Sequence, residues 1–122
     1  MSPGPAEQEL GVRLREARLA RAADAPRDFS VRALSARIGV SAAYLSLVER
    51  GAERPTEAVI RALAEALGLD PGPLLVLAGR VPAEVAAALI ARPALAELVR
   101  AARDLPEPDL ARMIRQVRDG DW

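Results

Sequence analysis

Leucine, isoleucine, valine and alanine recur at three- and four-residue spacing along almost the whole chain, and glycine or proline breaks that rhythm at short intervals. The spacing matches the turn of an α-helix and gathers apolar side chains on one face. No segment alternates apolar and polar residues beyond a few positions, so a sheet has nothing to be built from. The chain reads as all-α, with about eight short helices.

The punctuation sets their ends. Leu10, Leu14 and Ala17 share one face of a first helix, about 6–22. Pro26 lies in a polar loop. Ser30 is a good cap for a second helix, about 31–38, with Leu34 and Ile38 inward, and Gly39 stops it. Ser41 caps a third, about 42–50, with Leu45 and Val48 inward, before Gly51. Thr56 starts a fourth, with Val59, Ile60, Leu63 and Leu67 apolar, which ends at Gly68. A short fifth follows over about 71–78. Beyond Gly79, Pro82, Pro93, Pro106 and Pro108 read as starts of three further amphipathic helices, because proline fits a first turn and not an interior. The expected division is a disordered arm and helix start over 1–9, a helical domain over 10–79 and a helical region over 80–122. The last is too short to bury much surface alone.

Composition narrows the chemistry. The chain lacks Cys and His, which removes disulfides, thiolate metal sites, cysteine nucleophiles and the commonest general base. No serine has an imidazole to activate it, and no glycine-rich phosphate cradle is present. Asp104, Glu107 and Asp109 suit the positive start of the last helix better than a cation site. The expectation is therefore a non-enzyme with no metal and no cofactor. The 17 bases, all arginine, balance 17 acids. Residues 1–55 hold nine arginines against seven carboxylates. Any polyanion would have to meet arginines concentrated on one face. The start, Met1-Ser2-Pro3-Gly4-Pro5, lacks the basic and apolar regions of a signal peptide. No apolar run approaches the roughly 20 residues that span a bilayer. A cytoplasmic location and no membrane partner are expected.

The informative stretch is 30–51, SVRALSARIGVSAAYLSLVERG. Two short helices joined by a glycine turn, the second opening on a serine cap, have the layout of a helix-turn-helix. Leu34, Ile38, Val40, Leu45 and Val48 pin the pair together. Positions 42, 43, 46, 47 and 50 are left facing outward.

The order of residues around this stretch resembles a known family. Gly11, Arg13, Leu14 and Arg18, then Leu34, Gly39-Val40-Ser41, Tyr44-Leu45-Ser46, Glu49-Arg50-Gly51 and Pro55, then Ile60, Leu63, Ala64, Leu67, Leu69, Asp70-Pro71 and Leu74 are similar to the lambda-repressor/Cro-like (xenobiotic-response-element, XRE) transcriptional regulators. The resemblance covers residues 10–77 and implies a five-helix lambda-repressor-like DNA-binding domain, followed here by a short helical extension. It implies that Ser41, Ala42, Ala43, Ser46 and Leu47 face base edges or the adjacent backbone. It also implies that Arg18 and Glu49 form a structural ion pair. Two positions depart from the family pattern: Val31 stands where a phosphate-bonding Gln is common, and Leu47 where a polar side chain is common. Ala42 and Ala43 can touch only thymine methyls. Polar contact then falls to Ser41, Tyr44, Ser46 and Arg50, with Arg32, Arg37 and Arg54 on phosphates. The bland alternatives stay open. Arg32 and Arg37 also suit a solvated face, and Arg50 and Arg54 also suit the negative end of the third helix.

The expected function is a cytoplasmic repressor that binds double-stranded DNA as a homodimer and occludes a promoter. Leu95, Leu98, Val99, Leu110, Met113, Ile114, Val117 and Trp122 are the candidate dimer interface. The resemblance implies a toxin or a regulatory protease as further partner classes. The rival reading is a protein-interaction module on the same scaffold, such as an antitoxin-like inhibitor. It rests on the apolar Ala42, Ala43 and Leu47 and on the zero net charge.

Overall fold

The computed structural model describes residues 4–120. They form eight α-helices and no strand: α1 Pro5–Ala22, α2 Val31–Ile38, α3 Ala42–Glu49, α4 Glu57–Leu67, α5 Pro71–Leu77, α6 Ala83–Ala91, α7 Pro93–Ala102 and α8 Glu107–Asp119. The start of the first helix, expected at about 6, lies one residue earlier. Helix α1 already begins at Pro5, with proline in the first turn where its missing N–H costs nothing, and Glu7 lies against the positive helix end.

Local chemistry sets the other boundaries. The Ser30 hydroxyl accepts from the Ala33 amide at 3.0 Å, and the Ser41 hydroxyl from the Tyr44 amide at 3.0 Å. Thr56 Oγ1 accepts from the Val59 amide at 3.2 Å, so Thr56 caps α4 from outside and is not its first residue. Each side chain satisfies an amide that the helix start leaves unpaired. At the other end of α2, Gly39 takes φ 80°, a left-handed conformation that glycine adopts without strain.

The chain divides into two compact units, Met1–Pro82 and Ala83–Trp122. In the first, α1 packs on α3, α4 and α5, α2 packs on α3 and α4, and α4 packs on α5. The core is aliphatic: Leu10, Leu14, Leu34, Leu45, Val48, Ile60, Leu63, Ala64, Leu67, Leu74, Leu75 and Ala78. Phe29 and Tyr44, the aromatic residues of this unit, sit at its margin. Two glycines let α1 and the end of α3 approach closely. A Cβ on Gly11 would lie 2.4 Å from the Glu49 carbonyl oxygen, and one on Gly51 would lie 2.9 Å from Gln8 Cα.

In the second unit α6 packs on α7. No residue of α6, α7 or α8 is fully buried. So few residues cannot enclose a core, which is why Ile90, Leu98, Val99, Ile114 and Val117 remain exposed. Among the described residues no helix is long and apolar enough to cross a membrane.

Candidate nucleic-acid interface

Helices α2 and α3 meet at 107° across the Gly39-Val40-Ser41 turn. Leu34 below and Leu45 and Val48 above fill the angle and bury it in the core. This packs α3 on α1 and α2 and leaves one face toward solvent. Ser41, Ala42, Ala43 and Arg50 are exposed, Ser46 and Leu47 are half-buried, and Tyr44 is half-buried against the core. Burial pushes the Tyr44 phenol up, and the nearby charge of Glu53 adds to the effect while Arg80 opposes it. The phenol is therefore a neutral hydrogen-bonding group wherever the protein is folded at neutral pH.

Beneath α3 lies a two-pronged ion pair. Arg18 Nε donates to Glu49 Oε2 at 2.7 Å and Arg18 Nη2 to Glu49 Oε1 at 2.8 Å, with the side chains 10% and 6% exposed. Arg18 Nη1 also donates to the Phe29 carbonyl oxygen at 3.3 Å. The Glu49 hydrogen bond raises the Arg18 pKa further. This cluster ties α1, the loop before α2 and the end of α3 into one frame.

The remaining arginines divide by what already holds them. Arg37 Nη2 donates to the Asp28 carbonyl oxygen at 2.7 Å, and its guanidinium lies 4.8 Å from the Phe29 ring centroid. Arg54 Nη2 pairs with Glu7 Oε1 at 2.8 Å, joining the first turn of α1 to the loop after α3. Arg50 Nε reaches back to the Ser46 carbonyl oxygen at 3.4 Å, a long bond that leaves its Nη groups outward. Arg32 is exposed on α2. Of the four arginines expected at the interface, Arg32 and Arg50 are exposed, while Arg37 is engaged by the loop before α2 and Arg54 by the first turn of α1.

One feature escaped the sequence reading. A groove of about 900 Å³ runs between α1 and α3, lined by Val12, Arg15 and Leu19 from α1, by Ser46 and Arg50 from the α3 side and by Val31, with the largely buried Arg18–Glu49 pair also at its wall. It brings together Ser46, Arg50 and Val31 and adds Arg15, which the sequence placed only in a charge count. The signal was present: Val12, Arg15 and Leu19 share a helical face opposite Leu10 and Leu14. Among the described residues no cluster of three or more acidic side chains could hold a metal ion.

Residues 9–77 match the family model described as a helix-turn-helix domain. The chain belongs to the helix-turn-helix domain family. This chain is also 38% identical, over 78 residues, to an uncharacterised HTH-type transcriptional regulator of Mycobacterium bovis, covering 62% of this chain and 30% of that protein. Uncharacterised HTH-type regulators of two Mycobacterium tuberculosis strains match at the same identity and coverage. The chain thus spans less than a third of the length of these curated relatives. No solved structure matches it. The candidate dimer residues fall on the second unit: Leu98, Val99, Ile114 and Val117 exposed, and Leu95, Leu110 and Met113 half-buried. Trp122 lies outside the described residues.

Proposed function

We propose that this chain is a sequence-specific DNA-binding transcriptional regulator of the lambda-repressor/Cro-like (XRE) kind, acting as a homodimeric repressor. The observation that carries the reading is the free face of α3 set at 107° to α2, flanked by Arg32 and Arg50. A helix held in that way fits the major groove while neighbouring cations reach phosphates. Ser41, Ser46 and Tyr44 supply the polar contacts, and Ala42, Ala43 and Leu47 meet thymine methyls and the shape of the duplex. Arg15, across the groove from Arg50, joins the phosphate set. Arg37 and Arg54 contribute through the potential of the face more than through direct contact. Repression follows from occupancy: a dimer on a promoter excludes polymerase.

The second reading is a protein-interaction module, with a toxin or a regulatory protease as its partner. The specific observation in its favour is that Ala42 and Ala43 are exposed on α3. One titration separates the two. Purified protein is bound to labelled DNA from upstream of its own gene, with scrambled DNA as control. The regulator reading expects preference for the native sequence, and expects Arg32→Glu with Arg50→Glu to abolish binding while the circular dichroism spectrum stays native. Equal, weak binding to both DNAs, unchanged in the double variant, overturns it in favour of a protein partner on α3.

A further inference from the structure

We propose that α8 is a self-pairing helix that docks antiparallel on α8 of a second copy of this chain, with Glu107 of each copy beside Arg118 of the other. The proposal deepens the homodimer named above and rests on that reading.

Leu110, Met113, Ile114 and Val117 fall at i, i+3, i+4 and i+7, one stripe along α8. Ile114 is 60% and Val117 65% exposed, so half the stripe faces water. The helix is capped by Gly120 at φ 69°, so the stripe ends inside a completed element and not in a fraying one.

Charge selects the occupant and its direction. Glu107 and Arg118 are separated by about three helical turns, so they lie on the same flank of the stripe at its two ends. Asp109 and Gln116 lie on the other flank. Asp109 is held by Arg112 of its own helix, an ion pair one turn away. Arg118 lies 3.9 Å from Asp119, with both side chains largely exposed, a contact that holds neither in place. Glu107 has no ion-pair partner among the described residues.

A twofold axis normal to a pair of antiparallel helices sets like flank beside like flank and reverses their ends. Leu110 then stands across from Val117 of the second copy, Met113 across from Ile114, and Glu107 beside Arg118, twice over. A parallel pair sets opposite flanks together at the same end. Glu107 would then meet Asp109 of the second copy, crowding four carboxylates around two helix starts. The antiparallel pair also opposes the two helix dipoles. The apolar stripe alone allows either direction; Glu107 and Arg118 choose one.

The test uses the full chain, in which the absence of Cys makes introduced thiols unique. Sedimentation equilibrium should show a dimer whose Kd rises about tenfold in Glu107→Arg and in Arg118→Glu, with near-native affinity restored in the double variant that swaps the two charges. Under mild oxidation, Leu110→Cys mixed with Val117→Cys should give a mixed disulfide dimer, and Leu110→Cys alone should stay uncrosslinked. A native chain that sediments as a monomer at about 100 μM overturns the pairing. So does Leu110→Cys crosslinking to itself faster than to Val117→Cys, the sign of a parallel pair. DNA binding of the same samples is scored separately. A monomer that still prefers the native DNA sinks the pairing and leaves the regulator standing. An antiparallel dimer indifferent to DNA sequence supports the pairing and sinks the regulator.

Discussion

The carboxylate of Glu49 is buried at the end of α3, and its charge is tolerable there only because both its oxygens are met by Arg18. Two charges taken out of water cost several kcal/mol each, and the pair returns that only while both members are present. Glu49→Ala therefore leaves an uncompensated guanidinium and should lower unfolding free energy by about 3–5 kcal/mol in urea denaturation. Replacing Arg18 and Glu49 together by Met and Leu should cost much less, because no buried charge remains. Glu7, half-buried and paired with the exposed Arg54, is the counterpart near the surface. Arg54 holds its carboxyl below the ordinary value of 4.5. The folded chain thus binds that proton less tightly than the unfolded chain. The stabilisation is present above pH 4.5 and is lost as pH falls through the lowered folded value. Thermal melts of Glu7→Gln should accordingly be flatter than those of the native chain across the range from about pH 5 to about pH 3.

Helix α3 carries two demands on eight residues. Its inner face must hold Leu45 and Val48 in the core, and its start must be capped before any ligand arrives. Ser41 meets the second demand through its bond to the Tyr44 amide, so its hydroxyl oxygen is already used as an acceptor and keeps its proton for an outside partner. Ser41→Ala should destabilise the free protein by about 1 kcal/mol, whereas Ser41→Gly should cost only a few tenths, since glycine also suits a cap position. Equal losses in the two variants, read by chemical denaturation, would show that the cap bond is not what holds the start of α3. The close approach of α1 to α3 at Gly11 is equally a property of the pair of helices, and neither helix shows it alone.

At the level of the whole molecule, one α3 covers few bases. In the proposed homodimer, two copies on a palindrome, with half-sites about 34 Å apart, would supply both affinity and sequence preference. If Arg15, Arg32 and Arg50 of each copy meet phosphates, about six counterions leave the DNA, and log K should fall against log salt with a slope near −5. That is a loss of about a thousandfold between 50 and 200 mM, measurable by fluorescence anisotropy. A slope near −2 would mean that most of these arginines never reach the backbone.

What could be known from the linear order was whatever depends on neighbours a turn away. Ser30, Gly39, Ser41, Thr56 and Gly68 mark helix ends because a cap bond spans three residues, and the core leucines announce themselves because a helix repeats every 3.6. The helix-turn-helix was legible for that reason, as was the all-α class. Other features depend on segments far apart in sequence. That Arg54 is drawn to Glu7 and that Arg15 faces Arg50 across a groove follow from how closely α1 packs on the end of α3. That distance is set by two missing side chains, at Gly11 and Gly51, and by the buried charge pair beneath them. A sequence shows which arginines exist; the packing of α1 against α3 settles which of them still has charge to offer.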